Sequence, residues 1–454
     1  MDSHTVNKYD TLLVQIVDYV YHGDISKDDQ AFNMARFSLL DALGCASESL
    51  ATNQDVHKLI GHYVLGTVVP NGFRLPGTGL TLDPVKGAFD FSVLIRYLDH
   101  NDGFTGLEWG HPSDTLGAIC AVADYVSRAE KKAVTIDDLL AALIKSYEIQ
   151  GRLQLANSLN QRGLDHVFFE QLACCAVISG PSFLGLAQEQ ALAALSFCIL
   201  DNAPLRTYRH AQTRSHGKAG PAQALELGGP QPAQFGTYVI KNVFYKLMPC
   251  EGHSLTAVEA CVRIRQDWDK RGVAWDVNKV ARVNVRTHNG AVLIISKPAS
   301  MRLANAADRD HCLEFMMALA LLKGSPPEYG DYSDESPWAK DERIDFLRQR
   351  FVVVEDEKFS ADYHDPAVRS MASAVSIELL DGTKSDEVII EFPLGNPKHD
   401  GTQRTVKEKV IKNLRLTYDE DTVDAVIQMI ETQKEARATA LFEILWKGDE
   451  KNGL

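Results

Sequence analysis

The chain has 454 residues, of which 45% are hydrophobic and 24% charged, and it carries a formal net charge of −14. That length exceeds one ordinary domain and calls for two or three. The acidic balance turns the chain away from nucleic acid and anionic membrane as partners, and no apolar run is long enough to cross a bilayer, but a few converging cations in a cleft would still hold a small anion.

Residues 1–10 are polar and include an early acid, unlike a secretory signal or an Arg-rich transit peptide. This points to the cytosol, or to the mitochondrial matrix if a presequence is absent from this chain. The first half then reads as helix after helix. Thr135, Ile136, Asp137 and Asp138 spell a capping box, and Leu139, Leu140, Leu143, Ile144 and Tyr147 follow at the helical period. Residues 188–200, QEQALAALSFCIL, are apolar nearly all round and predict a helix deep in the core.

Near residue 275 the period changes. Val283, Val285 and Thr287 alternate with polar residues, and residues 351–357, FVVVEDE, form a second strand candidate. Val375, Ile377 and Leu379 alternate up to Asp381-Gly382, after which EVIIEF returns, predicting a hairpin. Residues 309–323 supply a helix between these strands, and residues 325–338, SPPEYGDYSDESPW, predict an exposed loop. Helix resumes from Thr405 to Trp446, with Val423, Val426, Ile427 and Ile430 on one stripe. The expected fold is therefore mainly α. A large all-helical domain combines residues 1–264 with residues 401–454, and a smaller α+β domain occupies residues 265–400.

The eight cysteines lie mostly in apolar text such as LACCAV and LSFCIL, with no CxxC, and read as reduced buried thiols rather than cluster ligands. There is no GxSxG elbow, Walker A loop, HExxH helix or EF-hand loop, and Gly77-Thr78-Gly79 lacks the third glycine of a dinucleotide fingerprint.

Chemistry concentrates in a few stretches. Between apolar helices, residues 96–118 gather Asp99, His100, Asp102, Glu108, His111 and Asp114 around three glycines. A carboxylate beside an imidazole orients the ring for proton transfer, although the same residues suit an acidic connector with His111 and Asp114 as caps. No close histidine pair at helical spacing supports a metal there. Asp165-His166 precedes an apolar helix, where His166 serves equally well as a cap. Residues 205–220 concentrate Arg206, Arg209, His210, Arg214, His216 and Lys218, either an anion site or a solvated basic face. His253 precedes a helix, whose N-terminus favours negative charge. Asp308, Arg309, Asp310 and His311 precede another, with charges that also suit pairing among themselves.

Taken in order, RYLDHND, EWGHPSD, YEIQGRLQLANSLNQRGLDHV, LRTYRHA, HSLTAVEA, ADRDHC, FSADYHDP and IELLDGTKSDEVIIEFPLG resemble the MmgE/PrpD family in its 2-methylcitrate dehydratase branch, from about residue 30 to beyond 415. The resemblance implies a helical domain built from both chain ends, a smaller α+β lid, a homodimer, a tricarboxylate substrate, and no metal or organic cofactor. It also implies site positions at Asp99, His111, His166, Lys218 and His253. Asp99, His111 and His166 would then move protons, while Lys218, His253 and Arg206 or Arg209 would bind carboxylates. The chain departs from the family pattern where Gly103 replaces a hydroxyl residue and where the segment after Lys218 is short. A cis-aconitate-type decarboxylase and a catalytically inactive helical dimer are the competing readings.

Overall fold

The computed structural model describes residues 9–129, 131–160, 163–200, 225–273 and 275–448. In chain order these form α1 (Thr11–His22), α2 (Asp29–Thr52), the short ribbon β1 (Phe73–Arg74) and β2 (Thr81–Leu82), α3 (Pro84–Arg96), α4 (Leu116–Arg128), α5 (Ile136–Ala156), α6 (Val167–Ser179) and α7 (Gln188–Leu200). Next come α8 (Leu255–Lys270), β3 (Val280–Thr287), α9 (Asn289–Ile294), α10 (Ala306–Asp310), α11 (Leu313–Lys323), α12 (Glu342–Arg348), β4 (Phe351–Glu355), α13 (Glu357–His364), β5 (Ser373–Leu379) and β6 (Val388–Ile390). The chain closes with α14 (Thr402–Leu414), α15 (Glu420–Thr432) and α16 (Ala438–Leu445). The protein is mainly helical, and no helix among the described residues is long and apolar enough to cross a membrane.

Two compact units emerge. One comprises Met1–Tyr97, Asn101–Phe244 and Val406–Leu454; the other comprises Leu98–His100 and Tyr245–Thr405. The first is helical, with α5 as its spine. The Thr135 hydroxyl accepts from Asp138 N while the Asp138 carboxylate takes the Thr135 amide, closing the expected capping box. Beyond the expected apolar face, α5 also buries Glu148, Gln150 and Gln154. Glu148 is satisfied by Arg152 Nε at 2.7 Å and by Val239 N at 2.8 Å, so the charge is paired rather than stranded. The closing helices join this unit through matched polar contacts. Lys409 Nζ meets buried Asp41 at 2.7 Å, Arg36 Nε donates to the Ile430 carbonyl, and Ala438 N donates to the Val134 carbonyl.

The second unit is built on a four-stranded sheet ordered β4-β3-β5-β6, parallel between β3 and β4 and antiparallel elsewhere. Val283, Val285 and Thr287 are buried on β3, as their alternation predicts. The units divide at Tyr245 and Thr405 rather than at residues 265 and 400. Residue 265 lies inside α8, whose buried Leu255, Val258, Cys261 and Val262 belong to a helix packed on β5, β6 and α11.

Three local expectations need correction. Residues 188–200 do form a helix, α7, but only Ala191 and Leu195 are buried, while Phe197 is 69% and Leu200 81% exposed. An apolar helix packed along one i,i+4 stripe against α1 and α6 need not be central. The helix expected at residues 309–323 breaks at His311-Cys312, giving α10 and α11. The strand expected at residues 351–357 ends at Glu355, where Asp356 caps α13 through Lys358 N and Phe359 N. The loop of residues 325–338 is mostly exposed or half-buried, as expected, and is pinned by Tyr332, which is fully buried, with its hydroxyl 3.1 Å from Cys250 Sγ and its carbonyl accepting from Arg309 Nε at 2.7 Å.

Candidate functional site

The connector after α3 carries the first histidine group, which lies in the helical unit. Gly103 and Phe244 exchange backbone hydrogen bonds at 2.9 Å. A Cβ at Gly103 would come within 2.5 Å of the Phe244 ring. With Phe244 opposite, a hydroxyl-bearing side chain at this position has no room. Asp102 is buried at the centre of the connector. Its carboxylate accepts from Ser113 N at 3.1 Å and from the Tyr147 hydroxyl at 2.7 Å. Burial pushes the Asp102 carboxyl up to about 6, against the pull of those hydrogen bonds.

The Asp102 carbonyl lies 2.7 Å from His111 Nδ1. A carbonyl only accepts, so Nδ1 carries the proton, and in the neutral ring Nε2 is the basic nitrogen. His111 makes no capping bond to the short turn that follows it. His166 likewise stands at the N-cap of α6 without capping it. Its Nδ1 instead lies 3.1 Å from Asp165 Oδ1, and its Nε2 lies 3.8 Å from Glu170 Oε1. The two imidazoles are neighbours, with ring centroids 6.5 Å apart and planes at 60°. The structure therefore joins His111 and His166, with Asp102, Asp165 and Glu170 around them. Glu108 has a different role: it accepts from Asn160 N at 2.9 Å and secures the connector. Asp114 accepts from Asn101 Nδ2 at 2.9 Å.

The second group lies in the sheet-containing unit. Asp99 takes positive φ, 50°, and its carboxylate pairs with Lys246 Nζ at 2.8 Å. The Lys246 side chain is 1% exposed, so this cation is held ready without bulk solvent. Four residues after Lys246, Cys250 leads into Glu251. Glu251 caps the turn through His253 N at 2.8 Å and holds His253 Nδ1 at 2.7 Å. Burial would raise the Glu251 carboxyl, but His253, His311 and Lys246 hold it below its ordinary value. His253 Nε2 lies 3.2 Å from the Tyr363 hydroxyl, and the Tyr363 ring stacks on His288 at 4.3 Å. In the ADRDHC stretch the charges do pair locally: Arg309 turns to the Tyr332 carbonyl and Asp334, and His311 Nδ1 meets Asp310 at 2.5 Å. Burial works against a charged His311, yet the hydrogen bond to Asp310 and the nearby charges of Asp99 and Glu251 raise its pKa.

Of the seven residues singled out in sequence, four are thus placed: His111 and His166 together in one unit, Asp99 and His253 in the other. Arg206, Arg209 and Lys218 lie outside the described residues. Sequence reasoning missed Tyr147, Glu170, Lys246, Glu251, His288 and Tyr363. Glu170 was legible, since it follows His166 at i,i+4. Glu251 sits two residues before His253, close enough to have been noticed. No local pattern announces His288, and Tyr363, although it lies within the FSADYHDP stretch, reaches His253 only through the fold. Among the described residues, no group of three or more His, Cys, Asp or Glu side chains is arranged to hold a metal ion.

Chemically, the first group offers two imidazoles flanked by carboxylates, a setting for proton transfer. The second offers a buried ammonium and an oriented imidazole, a setting for anionic or polar ligand groups.

Comparison with known proteins agrees in kind. Residues 14–228 match the MmgE/PrpD N-terminal domain and residues 248–435 the MmgE/PrpD C-terminal domain. The chain is 40% identical to alkylcitrate dehydratase phiI of Fungal sp. (strain ATCC 74256), over 91% of this chain and 89% of that protein. It is 40% identical to the 2-methylcitrate dehydratase of Escherichia coli (strain K12), covering 88% of this chain and 89% of the relative. The 2-methylcitrate dehydratase of Cupriavidus necator is 42% identical, with 86% of each chain covered.

Proposed function

The chain belongs to the MmgE/PrpD family, and from that premise we propose that it is a hydro-lyase removing water from 2-methylcitrate or a longer 2-alkylcitrate. The observation that carries this reading is the identity of about 40% to named methylcitrate and alkylcitrate dehydratases over nearly the whole chain. The site chemistry supports it. Dehydration takes a weakly acidic proton from a carbon beside a carboxylate and delivers a proton to the departing hydroxyl. The charge that builds on that carboxylate is lowered in energy by fixed cations and N–H donors.

In this reading His111, His166 and Asp99 move protons. The bond from His111 Nδ1 to a carbonyl leaves Nε2 to act as base, and His166, set between Asp165 and Glu170, is assigned the acid. His253 and Lys246 meet polar and anionic parts of the substrate, and Arg206, Arg209 and Lys218 are assigned to its carboxylates. The protein acts as a homodimer, without nucleic acid or membrane, in the cytosol or the mitochondrial matrix. Size-exclusion chromatography with light scattering checks the dimer.

The decisive experiment offers the protein 2-alkylcitrates of increasing chain length and follows the ultraviolet absorbance of the conjugated double bond. Turnover of one or more, without release of CO₂, is the expected result. No absorbance with any of them overturns the reading.

A further inference from the structure

In a chain whose net charge is −14, the connection between α2 and α3 contains an uncharged run, residues 59–73, LIGHYVLGTVVPNGF. Its apolar side chains face outward. Leu65 is 96%, Val68 84% and Tyr63 81% exposed, Val64 is exposed as well, and Leu59 is half-exposed. Helix α3 adds to the same surface of the helical unit. It buries Gly87, Phe91 and Leu94, yet Val85 and Phe89, four positions apart on another face, are exposed. One ammonium ties the two pieces together. Lys86 Nζ lies 4.9 Å from the Tyr63 ring centroid and 4.7 Å from that of Phe89. It donates to the Leu59 carbonyl at 2.9 Å and pairs with Asp90, whose other oxygen accepts from Gly61 N at 2.7 Å. Lys86 and Asp90 are both buried. A buried ion pair thus anchors the backbone at residues 59 and 61 and leaves the apolar side chains outside.

We propose that this face, centred on residues 63–68 and the Val85–Phe89 edge of α3, is where two copies of the chain meet in a two-fold contact. The assignment rests on the homodimer reading above and gives it a location. Area is the first reason. The seven apolar side chains together expose on the order of 700 Å², taking roughly 100–200 Å² for each one fully exposed. That exceeds the ~300–600 Å² of the largest patch on a typical monomer and approaches the ~800 Å² that each partner gives to a standard interface. Charge selects the occupant. In a two-fold contact each residue near the axis meets its own copy, so an uncharged face is compatible with itself and a charged one is not. Two chains of charge −14 repel one another elsewhere, and an anionic membrane is repelled in the same way. The charges bordering the run include an exposed opposite pair, Asp55 and Lys58 at 2.6 Å, which adds no net charge to the edge.

Size-exclusion chromatography with light scattering on the full-length chain tests this. The unaltered protein is expected at twice the chain mass. Leu65→Asp combined with Val68→Asp brings like charges together across the axis and should raise the dimer dissociation constant at least ~100-fold, leaving a monomer at micromolar concentration. Leu65→Lys combined with Val68→Lys should do the same, because either sign of charge meets its own copy. Leu380→Asp, at an exposed apolar position of the sheet-containing unit, is the control and should stay dimeric. Circular dichroism checks the fold of each variant, and if a double variant does not fold, the single Leu65→Lys change carries the comparison. Folded variants that remain dimeric, or a control that dissociates with them, overturn the face while leaving the homodimer standing. An unaltered protein that is monomeric overturns both, and one that instead floats with neutral phosphatidylcholine vesicles gives the face to lipid. None of these results touches the dehydratase reading, which turnover alone decides.

Discussion

The two histidine groups use the same side chain in opposite ways. At His111 and His166, a carbonyl and carboxylates lie beside the ring nitrogens and orient the rings. His253 is held by the Glu251 carboxylate and faces the Tyr363 phenol, and His288 is driven neutral first by burial and then by His253 and His364. An imidazole's role is set by what its second nitrogen meets and by how much water reaches it, not by its being histidine. The acidic companions differ similarly: burial raises the pKa of Asp102, whereas Asp99 holds an ammonium at 2.8 Å.

The largest expected effect separates the groups by kinetics. His111→Ala and His166→Ala should each lower kcat by about 10²–10⁴-fold with the fold intact. His253→Ala should act mainly on KM. Steady-state rates check this, and a pattern in which all three variants change only KM would erase the distinction drawn here.

Next in size is the ion pair. Lys246→Met leaves the Asp99 carboxylate largely buried without its cation and should cost on the order of 3–5 kcal/mol of stability. Denaturant titration measures it, and a variant as stable as the parent would mean that the pair contributes nothing to holding this region.

The smallest effect is a pH dependence of unusual sign. The Asp102 carboxyl titrates near 6 in the folded protein, above the ordinary value of about 4. Between those values the folded state holds a proton that the unfolded chain has lost. Acidification through about pH 6 therefore adds stability at this residue, complete below pH ~4 and lost again above 6. Relative to Asp102→Asn, the parent should gain on the order of 2–3 kcal/mol between pH 7 and 4. Unfolding free energies across that range decide it; a flat difference would mean Asp102 titrates as an ordinary carboxylate.

Much of the scaffold was legible because it depends on neighbours in sequence. The capping box at Thr135, the apolar stripe of α5, the alternation on β3 and the turn at Asp381-Gly382 are local patterns with local causes. The family resemblance likewise reached His111, His166, Asp99 and His253 through contiguous motifs. Position in the core was less legible. α7 shows why: an apolar composition says that a helix can be buried, but only packing partners say which face is, and among its described residues the buried ones are Ala191 and Leu195.

What the sequence by itself determined is the set of elements, the helical majority with its α+β interlude, and the residues capable of acid–base chemistry. These follow from periodicity, caps and residue type, all of them short-range. Only the tertiary structure decided which of those residues have partners. Lys246 meets Asp99 across 147 positions of sequence, Tyr363 meets His253 across 110, and His288 is buried without a hydrogen-bond partner among the described residues. Burial and long-range pairing set protonation and hydrogen bonding, and neither exists until the chain has folded.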